Sequence, residues 1–249
     1  MRILLSLLSI IWLFPSCTSS TNDSNEQKVY SNPEVHHRGS VKNVHRNHDF
    51  SAHVQLDTLD PVNLYAIGPA EGLDGEFFIM GDRGFVYRLD TAANNTYTDK
   101  NWRAEKAAFL VWSYVEKWDT VRIDQPFDNL QELEHIIAKK AANNNLDTNE
   151  AFPFMAWTFS SSGKGHVMNE SLRLRSEKRG HSDAKFSFEW VEQPTQLLGF
   201  FSPNHGGIFT HHGNRLHIHF RLGNKYRGGH VDAIEVNGRD WMLLLPVVK

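Results

Sequence analysis

The segment Leu216-His217-Ile218-His219-Phe220-Arg221-Leu222-Gly223-Asn224-Lys225-Tyr226-Arg227-Gly228-Gly229-His230-Val231 decides how this chain is read. Side chains two apart on a strand share a face. A strand over 216–222 therefore sends His217 and His219 one way and Leu216, Ile218 and Phe220 the other. Gly223-Asn224 has the composition of a two-residue hairpin turn. With that turn His217 stands opposite His230, and His219 opposite Gly228. Opposed Cβ atoms lie about 5 Å apart, so three imidazoles converge on one sheet face, with space beside them at Gly228 and Gly229. Three neutral imidazoles suit zinc, with other first-row metals as alternatives. Three protein ligands leave one coordination position open, the pattern of a catalytic rather than a structural site. The competing reading is a solvated sheet face with incidental histidines; convergence of three argues against it. His36, His37, His45, His48, His53, His205, His211 and His212 show no such convergence.

Around this hairpin the last third of the chain, from Phe186, is strand-rich, with strands expected at 197–201, 216–222, 226–236 and 241–247. Upstream, 152–159 also reads as a strand. The clearest helix is 129–143: Asn129 can cap it, with Glu132 as the capping-box partner. Leu130, Leu133, Ile136, Ile137 and Ala141 form one apolar stripe along it, and Asn143-Asn144-Asn145 ends it. The runs 77–80 and 85–89 flank Gly81-Asp82-Arg83-Gly84 and predict a hairpin. Periodicity leaves 107–115 open between strand and helix. Strands dominate around one main helix, which makes the chain α+β, with mixed or antiparallel sheets, rather than alternating βαβ.

The 249 residues are enough to bury a sizeable core. A hydrophobic share of 40% with 22% charged residues fits a soluble globular protein. The formal net charge of -3 gives no reason to propose nucleic acid as a partner. The opening MRILLSLLSIIWLFPSC (1–17) has a positive Arg2 and a short apolar run over 3–14, the form of a signal peptide. Cys17, the only cysteine, resembles the lipid-accepting residue of a bacterial lipoprotein, although Phe14 and Pro15 depart from the usual pattern. Ordinary secretion is the alternative. Either way the protein is expected to be exported, and its domain can form no internal disulfide. The polar stretch after Cys17 reads as a tether over 18–38, leaving 39–249 as one domain.

In order along the chain, Leu73-Asp74-Gly75-Glu76, Gly199-Phe200-Phe201-Ser202-Pro203, His217-Ile218-His219-Phe220 and Gly228-Gly229-His230-Val231 resemble the motifs of the α-acetolactate decarboxylase family. The spacing from the two-histidine motif to Gly-Gly-His is the specific part; the first tetrapeptide alone would be weak. The resemblance implies a two-layered α+β fold, often dimeric, with zinc held by His217, His219 and His230. It implies 2-acetolactate, a 2-hydroxy-3-keto acid, as substrate, and acetoin and carbon dioxide as products. An open metal position suits that chemistry, because a Lewis acid can stabilise the charge left when the carboxylate departs. A nearby acid must then protonate carbon. The family's glutamate falls on Glu76, with a role in proton transfer or in support of the site. From its residues alone, Glu76 could equally be a turn carboxylate at a strand start. The family's arginine, on the strand after the helix, falls on Thr158 in Phe154-Met155-Ala156-Trp157-Thr158, and threonine supplies no cation. Lys164 or Arg173 would have to reach the site in its place. Two functions follow: an exported or lipid-anchored zinc-dependent carbon–carbon lyase, or a non-catalytic exported metal- or ligand-binding protein on the same fold.

Overall fold

The computed structural model describes residues 31–248, apart from 179, 211–212, 224–226 and 239. The leader 1–17 with Cys17, the first part of the tether, His211, His212 and Asn224 lie outside the described residues.

Among the described residues, fourteen strands and three α-helices follow one another. The first half holds β1 (Val35–Arg38), α1 (Val41–Asn47), β2 (Val54–Gln55), β3 (Leu64–Pro69), β4 (Glu76–Met80), β5 (Arg83–Asp90), β6 (Asn95–Asp99), β7 (Lys106–Ala107), β8 (Leu110–Tyr114) and β9 (Trp118–Ile123). The second half holds α2 (Leu130–Asn143), β10 (Phe152–Met168), α3 (Glu170–Arg175), β11 (Lys185–Phe201), β12 (Leu216–Leu222), β13 (Gly228–Glu235) and β14 (Trp241–Pro246). One six-stranded sheet has the order β1-β8-β3-β4-β5-β6 and the other β11-β12-β13-β10-β14-β9. All pairings within them are antiparallel. Because β10 pairs with β11 as well as with β13, the second sheet closes on itself over those four strands.

Alternation along the strands sorts the side chains into layers. Ile67, Phe78 and Val111 of the first sheet meet Met155, Leu198, Phe200 and Leu244 of the second in a core between the sheets. On the far side of the second sheet, Leu133, Ile136, Ile137 and Ala141 of α2 pack on Phe154, Ala156, Ile218, Phe220 and Leu243. The expected α+β, two-layered architecture is thus present, with α2 as its main helix. Asn129 caps α2 by accepting the Glu132 backbone N–H at 2.9 Å. Glu132 in turn accepts the backbone N–H of Asp128, one residue before the cap, rather than that of Asn129.

Several expectations are corrected in detail. The segment 107–115, open between strand and helix, holds strand: the end of β7 and the whole of β8, with a bend at 108–109 between them. The strand expected at 152–159 runs on to Met168, its loop-like Ser-Gly stretch being carried by pairing on both edges. Residues 35–38, at the end of the stretch read as tether, form β1, which pairs with β8, and Val35 packs on the inter-sheet core. The β12–β13 register is shifted by two residues, so that His219 stands opposite His230 and Arg221 opposite Gly228. The Leu222 N–H donates to the Arg227 carbonyl at 2.9 Å, so the connection is longer than a Gly223-Asn224 turn. A two-residue shift keeps every side chain on its face, and the histidines still converge.

Candidate metal centre

The site lies where β4 of the first sheet meets β10, β12 and β13 of the second. It begins with Leu73-Asp74-Gly75-Glu76, in which each residue has its own task. Leu73 is fully buried in a small core with Val44 and Met168. Asp74 is tied to Arg88 and accepts from the Asn169 amide at 3.1 Å. Gly75 has φ +124, and a Cβ there would lie 2.7 Å from the Tyr87 carbonyl oxygen, so the sharp entry into β4 needs glycine. Glu76 is then delivered into a cavity of ≈ 50 Å³ that His166, His217, His230 and Lys185 also line. Glu76 is 2% exposed. Burial pushes its pKa up to about 8, against the lowering effect of the Met168 backbone N–H and of Lys185.

His217, His219 and His230 lie near one another, with His219 rather than His217 opposite His230. Their ring centroids are 5.0 Å apart for His217–His219, 5.3 Å for His217–His230 and 5.6 Å for His219–His230. His217 stacks on Phe109 of the first sheet at 5.5 Å. His219 Nδ1 lies 2.7 Å from the Phe77 carbonyl oxygen. A carbonyl only accepts, so Nδ1 carries the hydrogen and Nε2 presents its lone pair. That Nε2 is buried, has no hydrogen-bond partner among the described residues, and lies 3.6 Å from Glu76 Oε2. Burial drives the His219 pKa down to about 3, so the ring is neutral, as a metal ligand must be.

A fourth imidazole, His166, joins them. It pairs with His230 across β10 and β13, with ring centroids 4.9 Å apart. Its Nδ1–H donates to Asp232 Oδ2 at 2.8 Å, while Asp232 Oδ1 lies 3.8 Å from His230 Nδ1. Burial lowers the His166 pKa despite Asp232. Among the described residues, the group of three whose donor atoms all fall within 4.8 Å of one another is His166, His230 and Asp232, and that group could hold a metal ion. The approach of β13 to β10 depends on Gly229, where φ is +153 and a Cβ would meet the His166 carbonyl oxygen at 2.3 Å.

His166, Asp232 and Lys185 escape the sequence reading for different reasons. Asp232 carries a local signal, since it is two residues from His230 on one strand. His166 and Lys185 enter through the unforeseen extension of β10 and its pairing with β11. His45, which shows no convergence in the sequence, also lines the cavity, from α1. Thr158 does not line it: it is buried on the face shared with Phe154 and Ala156, and its hydroxyl is 3.4 Å from the Thr195 carbonyl. A side chain at 158 would point to the helix side of the sheet, away from the histidines. Lys164 lies 4.0 Å from Glu189 in solvent, and Arg173 is held by Glu170 beside Phe50; neither lines the cavity.

No family model and no curated protein matches this sequence. Solved structures do match its shape. The alpha-acetolactate decarboxylase of Bacillus subtilis strain 168 superposes with a TM-score of 0.66 at 14% identity, covering 86% of this chain and 85% of that one. The chain has an acetolactate-decarboxylase-like fold. The acetolactate decarboxylase of Bacillus subtilis subspecies spizizenii gives 0.62 at 16% identity, with 86% of each chain covered. A Staphylococcus aureus protein of unknown function, described as similar to alpha-acetolactate decarboxylase, gives 0.63 at 14%, covering 86% of this chain and 84% of its own. At these identities the likeness is one of fold. What the acetolactate-decarboxylase-like fold does in this chain has to be argued from the cavity itself.

Proposed function

We propose that this protein is a zinc-dependent carbon–carbon lyase that converts 2-acetolactate, or a related 2-hydroxy-3-keto acid, to acetoin and carbon dioxide. The observation that carries the reading is the meeting of His217, His219 and His230 beside a buried Glu76, in a cavity between two sheets. The donor set suits zinc: three imidazoles, one with its tautomer fixed by Phe77 and its other nitrogen lacking a hydrogen-bond partner among the described residues. We assign the ligands to these three rather than to His166, His230 and Asp232, because the resemblance places the metal there and the buried Nε2 of His219 has no hydrogen-bond partner among the described residues. Asp232 then supports the histidines from behind, as carboxylates commonly do at metal centres.

When bound, zinc would supply Lewis acidity toward the substrate's hydroxyl and keto oxygens. The chain's residues do the rest. The bond from C2 to the carboxylate breaks, carbon dioxide leaves, and the electron pair stays on the conjugated C2–C3–oxygen system. Glu76, the carboxyl group lining the cavity, gives its proton to carbon and recovers one from solvent. Val41, Leu73, Phe109 and Met168 make the walls apolar, which limits water at the developing negative charge and strengthens each polar contact there.

The leader over 1–17 supports export, and Cys17 supports a lipid anchor. Labelling with a fatty acid should mark the intact protein and not Cys17→Ala; equal labelling, or none in either, would count against the anchor. The resemblance also supports a homodimer, and sedimentation of the purified protein at monomer mass would count against it.

Incubating the purified, zinc-loaded protein with 2-acetolactate and measuring acetoin tests the reaction. Acetoin well above the spontaneous background is expected. Background levels with zinc present would overturn the lyase reading and favour a metal- or ligand-binding protein on the same fold.

A further inference from the structure

The substrate proposed above is an anion, and its carboxylate must lie within the cavity while its hydroxyl and keto oxygens face the imidazoles. The cavity has an apolar wall, a buried carboxyl group, histidines and, among its lining residues, a single lysine or arginine: Lys185. The first residue of β11, Lys185 stands opposite Met168, two positions along β10 from His166. Its side chain is 28% exposed, and its Nζ lies 3.4 Å from Asp232 Oδ1. The other oxygen of Asp232 accepts from His166 at 2.8 Å. An ammonium has three donors, and a 3.4 Å contact engages one of them weakly. The charge is thus held at the rim of the histidine cluster with donor capacity remaining.

We infer that Lys185 is the group that binds the substrate's carboxylate and makes the cavity selective for anions; the inference rests on the lyase reading for its substrate. Position 158 faces the other side of the sheet, so no residue there competes for this role. Lysine provides a point charge rather than a rigid bidentate fork, and that suits a carboxylate that must leave as neutral carbon dioxide. Charge on the carboxylate fades as the bond breaks, so a contact to it is strongest in the ground state. Removing such a contact raises KM and does not lower kcat.

The test compares binding of 2-hydroxy-2-methylpropanoate and of its uncharged amide to zinc-loaded wild type, Lys185→Met and Lys185→Arg, by calorimetry, with zinc content measured alongside. Wild type should prefer the acid by about tenfold or more. Lys185→Met should lose that preference while keeping zinc, and Lys185→Arg should restore most of it. In turnover of 2-acetolactate, Lys185→Met should raise KM by a similar factor without lowering kcat. A wild type with no preference, including one that binds neither ligand, overturns the inference. So does Lys185→Met if it keeps the preference, or if it loses zinc and both ligands together, the outcome of a lysine that merely braces Asp232. Wild type that makes no acetoin yet shows a preference lost in Lys185→Met would sink the lyase reading and leave the anion site standing.

Discussion

Replacing Glu76 by Gln should stabilise the metal-free protein, and by an amount that grows with pH. The unfolded chain releases the Glu76 proton near the ordinary value of 4.5, whereas burial holds it in the folded protein until about 8. Between those values the unfolded state binds fewer protons, so raising the pH favours unfolding, by about 1.4 kcal/mol for each pH unit. The full effect, reached above pH 8, corresponds to about 5 kcal/mol. Relaxation and water entry reduce penalties of this kind, and a gain of about 2–5 kcal/mol for Glu76→Gln at pH 9 is expected. At pH 4 both side chains are neutral, and the two proteins should differ little. The other groups that line the cavity, among them His166, His217, His230 and Lys185, are the same in both proteins, so the difference between the two curves reports residue 76. Urea unfolding from pH 4 to pH 9 in the presence of a chelator measures it. A difference that is constant across that range would refute the claim that burial keeps Glu76 protonated.

Two further substitutions probe the frame around the histidines. Gly229→Ala places a Cβ against the His166 carbonyl oxygen, 2.3 Å away, at φ +153, and should cost about 2 kcal/mol or more; an unchanged urea midpoint would show that β13 does not approach β10 so closely. Asp232→Asn removes the charge that fixes His166 and stands behind His230. It should weaken zinc binding by about 10–100-fold in a chelator competition, with little change in far-ultraviolet dichroism, whereas wild-type affinity would deny Asp232 a supporting role.

The parts of the fold that were legible in the sequence are those with a local period. The stripe of α2, the β4–β5 hairpin and the alternation of β12 each follow from neighbouring residues. Convergence of His217, His219 and His230 was legible for the same reason, and it tolerated a two-residue error in register because strand faces repeat every two residues. What depends on partners distant in sequence was not legible. The extension of β10 through Ser160-Ser161-Ser162-Gly163 to Met168 is stabilised by β11 and β13, and with it His166 and Lys185 come to the cavity. Thr158 shows the opposite limit: its position in a motif suggested proximity, and strand alternation with a buried hydroxyl contact on the far face removes it. The protonated state of Glu76 is likewise a property of burial, which no tetrapeptide displays.

The central claim is that His217, His219 and His230 hold zinc between the two sheets. Elemental analysis of purified wild type, His166→Ala, His217→Ala, His219→Ala and His230→Ala tests it most directly. We predict about one zinc per chain in wild type and its loss in the variants at 217, 219 and 230. Undiminished zinc in His217→Ala and His219→Ala, with loss in His166→Ala and His230→Ala, would contradict the claim and assign the metal to His166, His230 and Asp232.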